Sequence, residues 1–231
     1  MPAAARVADV GSDHGLLPLA LLASGRASFA VATEKTPVRA ARIGRPPRGA
    51  SWARAFRRRF GDGLAPLRPA DAIDTLILAG LGGRTILRIL DVPRLGDLRP
   101  AAVILQPRTE PARVRSWLSR HGWRLSAETV AVERGRRHVS LRAERGADDD
   151  LYRDDALSRD DLLAVGPFLM RSGDPEVVRA WREELARLTS IAAPGRGRSQ
   201  AGDRAACELA RAARILEMMA SGRRVTSPSG E

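Results

Sequence analysis

The stretch "RVADVGSDHGLLPLALL", Arg6 to Leu22, has the order of a buried strand, a tight turn and an apolar helix. Gly11 and Gly15 mark the turn. In a doubly wound α/β fold the first strand leads into such a glycine-rich turn, and the ligand lies beyond the carboxyl end of the strand. Two carboxylates, Asp9 and Asp13, stand around this turn. The stretch therefore predicts a ligand site at the end of the first strand, for a ligand that binds next to carboxylates.

Short apolar runs continue along the chain after this stretch, mostly with helical segments between them. The runs are "SFAVAT" (28 to 33), "DTLILA" (74 to 79), "AAVILQ" (101 to 106), "GWRLSAETVAVE" (122 to 133) and "HVSLRAE" (138 to 144). Helices are predicted at 15 to 24, 83 to 90 and 110 to 120. This alternation predicts a parallel sheet covered by helices on both faces, with an antiparallel pair formed by the last two strands.

The segment from Thr36 to Phe60 fits neither element. "RIGRPPRGAS" breaks any helix and "FRRRF" is a poor strand by composition. The segment is rich in arginine and has no acidic residue. Two interpretations stay open: a solvated loop, or a surface that faces phosphate through Arg57, Arg58 and Arg59.

Helical patterns dominate after "RGADDD" (145 to 150). Apolar residues recur at spacings of three and four in two stripes, separated by the turn-forming "APGRGRSQAGD". The stripes are Val177, Trp181, Leu185 and Leu188, then Ala206, Leu209, Ala213 and Leu216. We expect a ligand-binding α/β domain over 1–147, a helical hairpin domain resembling a coiled coil over 148–222, and a disordered tail over 223–231.

Charge is distributed unevenly in this chain, whose net charge is +12. Residues 1 to 150 carry 26 Lys and Arg against 15 Asp and Glu, whereas the remainder carries 13 against 12. A basic excess of this size favours a polyanionic partner, of which nucleic acid is the usual example, although an arginine-rich proteome would give the same balance.

Other features of composition exclude several classes of protein. The single cysteine, Cys207, permits neither an internal disulfide nor a cysteine-based zinc site, and it is expected to be a small apolar filler. No run of 18 apolar residues occurs, and the first residues lack the pattern of a secretory signal. We expect a cytoplasmic protein that uses neither a membrane nor a metal ion.

The acid at the first turn defines the charge of the expected ligand. Asp13 occupies the place of the middle glycine of a dinucleotide-binding turn, where its carboxylate would repel phosphate and attract a cation. S-adenosylmethionine fits, since it has a sulfonium, an ammonium and an adenosine without phosphate. Glu34 falls where an acid grips ribose hydroxyls, and Asp62 in "GDGL" (61 to 64) falls near the adenine. Taken singly, each acid could equally be a turn residue.

Several motifs together resemble the bacterial tRNA (adenine(22)-N1)-methyltransferase family. They are "ADVGSDHGLLP", "GDGL", "DTLILAGLGG", "ILQP", "VRSWLSRHGWRL" and "GPFLM". The resemblance implies a Rossmann-like class I methyltransferase sheet, S-adenosylmethionine as methyl donor, and a helical C-terminal domain that helps to hold tRNA. It implies a donor site lined by Asp9, Gly11, Ser12, His14, Glu34, Asp62, Gly63, Ala79 and Gly80.

The same resemblance implies that Asp13 is the catalytic acid side chain, and Arg108 of "LQPR" is expected to touch RNA. The N1 nitrogen of adenine can attack a methyl group directly, so no covalent enzyme intermediate is needed. Two alternatives stay open: a methyltransferase for another RNA position or a small molecule, and a non-enzymatic RNA-binding protein. The expected oligomeric state is a monomer.

Overall fold

The computed structural model describes residues 4–147, 150–192 and 200–221, which form two compact units. One unit comprises the residues up to Ala127 together with His138–Ala147, and the other comprises Glu128–Arg137 and the described residues from 150 onward. The strands are β1 Ala5–Val10, β2 Ala27–Glu34, β3 Phe56–Phe60, β4 Thr75–Leu81, β5 Ala102–Pro107, β6 Trp123–Glu133 and β7 Arg136–Arg145.

The helices of the described residues include several that the sequence does not predict, among them α2 and α4. They are α1 Leu16–Ala23, α2 Pro37–Arg42, α3 Gly83–Leu90, α4 Pro93–Leu98, α5 Pro111–Arg120, α6 Arg159–Val165, α7 Pro167–Ser172, α8 Pro175–Ala192 and α9 Gln200–Ala220. Short 3₁₀ turns lie at Ala53–Ala55 and Pro69–Asp71. The helices predicted at 15 to 24, 83 to 90 and 110 to 120 are confirmed as α1, α3 and α5.

The strands form one seven-stranded sheet in the order β3-β2-β1-β4-β5-β7-β6. The pairs from β3 to β5 are parallel, and β7 is antiparallel to β5. A two-residue connection, Arg134 and Gly135, joins β6 to its neighbour β7, and so short a connection can join only antiparallel strands. The predicted α/β sheet is therefore confirmed.

The centre of the sheet is buried on both faces, which explains why its strands are continuous apolar runs rather than alternating ones. Val7 and Ala8 of β1 and Leu78 of β4 are fully buried. Leu22 of α1 and Ile86 of α3 are buried against this core as well. The rigid centre of the sheet holds the strand ends, and therefore the loops that follow them, in place.

The segment 36 to 60 is ordered, and the expectation that "FRRRF" makes a poor strand is wrong. α2 begins where Thr36 accepts a hydrogen bond from the Arg39 N–H at 3.3 Å, with proline in its first turn. The arginine-rich run is β3, an edge strand parallel to β2. Phe56 buries one end of β3, and an exposed edge tolerates the charged side chains that a central strand would not.

The second unit contains α6 to α9, and α8 packs against α9. Asp161 of α6 is buried and pairs with Arg211 and Arg214 of α9 at 3.2 and 3.0 Å. Burial acts to raise the pKa of Asp161, but hydrogen bonds from Arg214 and Ser158 outweigh it and hold that pKa below its usual value. This buried ion cluster ties α6 to α9.

The face that α9 buries differs from the predicted stripe. The stripe on α8 is correct at its ends, since Val177 and Leu188 are buried. Among the described side chains of α9, those of Ala212 and Ile215 are buried, whereas that of the predicted Ala206 is exposed. Cys207 is exposed too, so the expectation of an apolar filler is wrong. The turn predicted between these helices and the tail at 223–231 lie outside the described residues, apart from the first residues of α9.

Neither a membrane-spanning helix nor a metal site stands out in the described ranges. No helix there combines the length and the apolar character needed to cross a bilayer. Over the same residues, His, Cys, Asp and Glu side chains form no group of three or more that could hold a metal ion.

Candidate active site

A pocket of about 610 Å³ opens at the carboxyl ends of β1, β2 and β4. This edge is where ligands bind in doubly wound folds, because the chain leaves β1 toward β2 on one side and reaches β4 on the other. The pocket brings together most of the predicted site residues: Gly11, Asp13, His14, Glu34, Asp62, Gly63, Ala79, Gly80 and Arg108. Asp9, Ser12 and Arg57 to Arg59 are not among its lining residues.

The turn after β1 is fastened to the end of β2. The N–H groups of Gly11 and Ser12 both donate to the carbonyl of Thr33 at 3.0 Å. Gly15, at a φ of 71°, closes the turn, and a Cβ there would lie 2.7 Å from Cγ2 of Ile43. A side chain would thus meet both a left-handed backbone and a collision, which explains the glycine. The acidic loop is held rigidly beside the second strand.

Asp9 is buried under this turn, with only 4 % of its surface exposed. Its carboxylate accepts a 2.5 Å hydrogen bond from the Ser12 hydroxyl. Burial raises the pKa of Asp9 from 3.8 to about 6, the Ser12 hydrogen bond opposes this, and the charge of Glu34 adds to the rise. A cation bound nearby would stabilise the ionised form of Asp9.

Glu34 ends β2 with its carboxylate fixed by backbone donors. One oxygen accepts the N–H of Asp13 at 2.8 Å and the other accepts the N–H of Lys35 at 3.1 Å. Glu34 is buried, yet it lines the pocket. Each carboxylate oxygen has a second lone pair, so the group can still accept hydrogen bonds from a pair of hydroxyls.

Asp13 and His14 lie at the open side of the pocket. Their side chains are 67 % and 60 % exposed, and His14 Nε2 lies 3.8 Å from Asp13 Oδ2. That distance allows charge attraction but is too long for a hydrogen bond. Asp13 itself has a φ of 51°, a conformation costly for most residues but accessible to aspartate. Its backbone is thus held by Glu34, while its carboxylate can accept a donor from a substrate.

Asp62 lies on the far side of the pocket, in the loop after β3, and pairs with a residue that the sequence reasoning missed. Lys35 Nζ lies 3.0 Å from Asp62 Oδ2, and both residues line the pocket. This ion pair links the loop after β2 to the loop after β3. Lys35 is the only lysine among 231 residues, and this was the one signal in the sequence that could have marked it.

The glycines of "AGLGG" let two loops approach closely at the other side of the pocket. Ala79 and Gly80 line the pocket and offer little side-chain bulk. A Cβ on Gly83 would lie 2.5 Å from the carbonyl oxygen of Thr109, in the loop after β5. The Gly83 N–H donates to the Thr109 hydroxyl at 3.2 Å. The glycines of this turn therefore have two structural reasons: they leave the turn open, and Gly83 allows the close contact between α3 and the loop after β5.

The arginines of β3 are occupied by contacts within the first unit. Arg59 binds both carboxylate oxygens of Asp71 at 2.6 Å and is 18 % exposed. Arg58 donates to the carbonyl of Ile43 at 2.9 Å, and Arg57 to that of Arg54 at 2.6 Å. Their contact with tRNA stays a prediction, and the geometry assigns Arg59 first to holding the fold.

Four further basic side chains line the pocket. Arg108 was named from the sequence, whereas Arg39, Arg42 and Arg88 were not. Arg39 and Arg42 belong to α2, whose signal was the capping sequence "TP" at 36 and 37, and Arg88 belongs to α3. An acidic floor beneath a basic margin is the resulting electrostatic pattern.

This pattern fits S-adenosylmethionine. The two buried carboxylates, Asp9 and Glu34, favour the binding of a cation at the inner side of the pocket. The fixed Glu34 oxygens can also accept hydrogen bonds from ribose hydroxyls. The turn is unsuited to a pyrophosphate, because the N–H of Asp13 is already bound to Glu34 and the Asp13 carboxylate would repel phosphate. A doubly wound sheet with such a pocket is that of the class I S-adenosylmethionine-dependent methyltransferases.

Comparison with known proteins narrows this class to one family. Residues 7–210 match the family described as tRNA (adenine(22)-N(1))-methyltransferase. The chain belongs to this family. It is 31 % identical over 191 residues to the tRNA (adenine(22)-N(1))-methyltransferase of Bacillus subtilis strain 168. The aligned region covers 83 % of this chain and 79 % of that protein.

Solved structures agree with this assignment. The B. subtilis m1A22 tRNA methyltransferase is 28 % identical, with a TM-score of 0.79 over 95 % of this chain and 92 % of that one. Streptococcus pneumoniae Sp1610 in complex with S-adenosyl-L-methionine is 28 % identical, with a TM-score of 0.78 over 92 % of each chain.

Proposed function

We propose that this protein transfers the methyl group of S-adenosylmethionine to N1 of adenine 22 in tRNA. The observation that carries the proposal is the pocket at the carboxyl end of β1, which is lined by the buried Glu34, has the buried Asp9 under the adjoining turn, and lies in a chain of this methyltransferase family. The S. pneumoniae relative bound to S-adenosyl-L-methionine supports the choice of donor.

The predicted donor residues receive distinct roles in this proposal. Glu34 accepts hydrogen bonds from the ribose hydroxyls, and Asp62 accepts a hydrogen bond from the exocyclic amine of the donor's adenine. Asp9, with Gly11 and Ser12, supports the cationic end through the charge of the floor. Gly63, Ala79 and Gly80 leave room for flat groups, and His14 orients the acidic loop through its neighbour Asp13.

When bound, S-adenosylmethionine supplies an electrophilic methyl group on sulfur. The N1 lone pair of adenine lies in the plane of the ring and needs alignment and desolvation rather than activation by a base. Methylation moves the positive charge from sulfur to the adenine ring, so no proton has to be lost. Asp13 accepts a hydrogen bond from the exocyclic amine of the target adenine and stabilises the charge that develops on its ring.

The substrate implies further features of the protein. Inside folded tRNA the target base has to leave its stack to enter the pocket, so the pocket has to be open on one side. Asp13 and His14 are exposed on such a side. We infer that the helical unit helps to hold tRNA, and that the protein works in the cytoplasm, where its substrate is found.

Incubation with labelled donor and two tRNA transcripts tests the proposal. One transcript has adenine at position 22, and its matched control has guanine there. The expected result is N1-methyladenosine in the first transcript alone. Label in both transcripts would favour another RNA position. Donor binding, measured by calorimetry, without any methyl transfer would favour an RNA-binding protein on a methyltransferase fold.

A further inference from the structure

Four arginines surround the pocket at its open margin: Arg39, Arg42, Arg88 and Arg108, here called the rim arginines. All four are exposed. Among the residues that the structure describes, none of their side chains has a hydrogen bond or ion pair. This differs from β3, where the three neighbouring arginines are bonded to carbonyls or to Asp71.

Apart from Asp13, whose carboxylate the proposed function assigns to the substrate, the acidic side chains Asp62, Glu110 and Glu34 near the rim already have partners. Asp62 is paired with Lys35 at 3.0 Å. Glu110, in the loop that follows Arg108, is bound by Arg84 and Arg113 at 3.3 and 3.2 Å. Glu34 is buried, with backbone N–H groups on both of its oxygens. The positive charge of the rim is thus left for an anion from outside the protein.

The rim arginines stand on two sides of the acidic loop. Arg39 and Arg42 come from α2, which follows β2, whereas Arg88 and Arg108 follow β4 and β5. In the sheet β1 lies between β2 and β4, so the loop with Asp13 is placed between the two pairs. A group that enters the pocket over Asp13 has two cations on each side.

We propose that the rim arginines bind the tRNA phosphates on the two sides of the extruded adenosine. This inference rests on the proposed function and names the residues that would position its substrate. A nucleotide turned out of its stack brings a phosphate on each side of its ribose to the pocket mouth. Guanidinium groups match phosphate with two parallel hydrogen bonds, which fixes orientation as well as charge. The base is then directed toward Asp13.

Two double variants test the rim: Arg39→Gln with Arg42→Gln, and Arg88→Gln with Arg108→Gln. Each should weaken tRNA binding about tenfold at moderate salt. Each should reduce the magnitude of the slope of log affinity against log salt by about 1.4 to 1.8, if both arginines contact phosphate. Affinity for S-adenosylhomocysteine, measured by calorimetry, should stay within about twofold, since the rim is assigned to RNA rather than to the donor.

The matched control is Arg26→Gln with Arg99→Gln. Arg26 and Arg99 are exposed, and they precede β2 and β5 at the opposite edge of the sheet. This control removes the same two charges, so it reports the effect of net charge alone. An equal loss of tRNA affinity in the control would overturn the proposal. Lower affinity for S-adenosylhomocysteine with an unchanged salt slope would overturn it too, and would assign the arginines to the donor's carboxylate.

Methylation by the parent protein, assayed in parallel, separates the two proposals. If the parent methylates tRNA and the rim variants bind tRNA as the parent does, the rim assignment is wrong and the proposed function stands. If the parent neither binds nor methylates tRNA, the proposed function fails, and the rim assignment fails with it.

Discussion

Replacing Asp9 with asparagine should make the protein more stable at neutral pH while weakening its donor site. Asparagine keeps the size of the side chain and an oxygen that can accept the Ser12 hydroxyl, but it has no charge to bury. Asp9 is 4 % exposed and its carboxylate is close enough to that of Glu34 for repulsion. Burying this charge lowers the stability of the folded protein, and the attraction of a cationic ligand explains why a carboxylate is nevertheless found there.

The size of the effect follows from the raised pKa of Asp9, which is about 6 in the folded protein against an ordinary 3.8. The folded chain holds this proton more tightly than the unfolded chain does. The free energy of unfolding therefore falls as pH rises from about 4 to about 6, and stays lowered above that range. This difference of slightly more than two pKa units corresponds to about 3 kcal/mol, so the variant should gain about 1 to 2 kcal/mol at pH 5 and about 3 kcal/mol at pH 8.

Urea denaturation of parent and variant at pH 5 and pH 8 measures this gain. Asp97→Asn, which removes an exposed carboxylate of α4, is the control and should change stability by less than about 0.5 kcal/mol. Calorimetry with S-adenosylmethionine should show binding to the Asp9→Asn variant weakened by about 1 to 3 kcal/mol. A variant no more stable than the parent at pH 8, or equally stabilised at both pH values, would refute the burial argument.

Further predictions concern the turn after β1, the pocket and the helical unit. Asp13→Asn should slow single-turnover methyl transfer about 100-fold, with the affinities for donor and tRNA little changed. Transfer at the parent rate would mean that Asp13 serves only to form the turn. Because Lys35 pairs with Asp62 in the pocket, saturating S-adenosylhomocysteine should slow its modification by an amine-reactive reagent, as followed by peptide mass spectrometry; equal rates would contradict its placement. Asp161→Asn should lower the free energy of unfolding by about 1 to 3 kcal/mol in urea, since the partly exposed Arg211 and Arg214 lose the charge of their shared carboxylate. A loss below about 0.5 kcal/mol would count against that cluster.

Much of the fold could be predicted because its signals are local. Apolar runs, glycine turns and helix spacing depend on neighbouring residues, and they placed β1, α1, α3 and α5 within one or two residues of their bounds. The meeting of the acids at the pocket was predictable for a related reason. Parallel strands all end at the same edge of a sheet, so Asp13 and Glu34, which follow β1 and end β2, had to come near each other.

Contacts between distant segments account for the remainder. "FRRRF" is a strand because β2 offers it an edge, a property of the partner rather than of the run itself. Whether an arginine is free or occupied depends on which carboxylate folding brings beside it: Asp71 reaches Arg59 across twelve positions, while Arg88 and Arg108 meet no such group in the described chain. Charge in a sequence is additive, but its availability depends on geometry, and geometry is set by the packing of the whole domain.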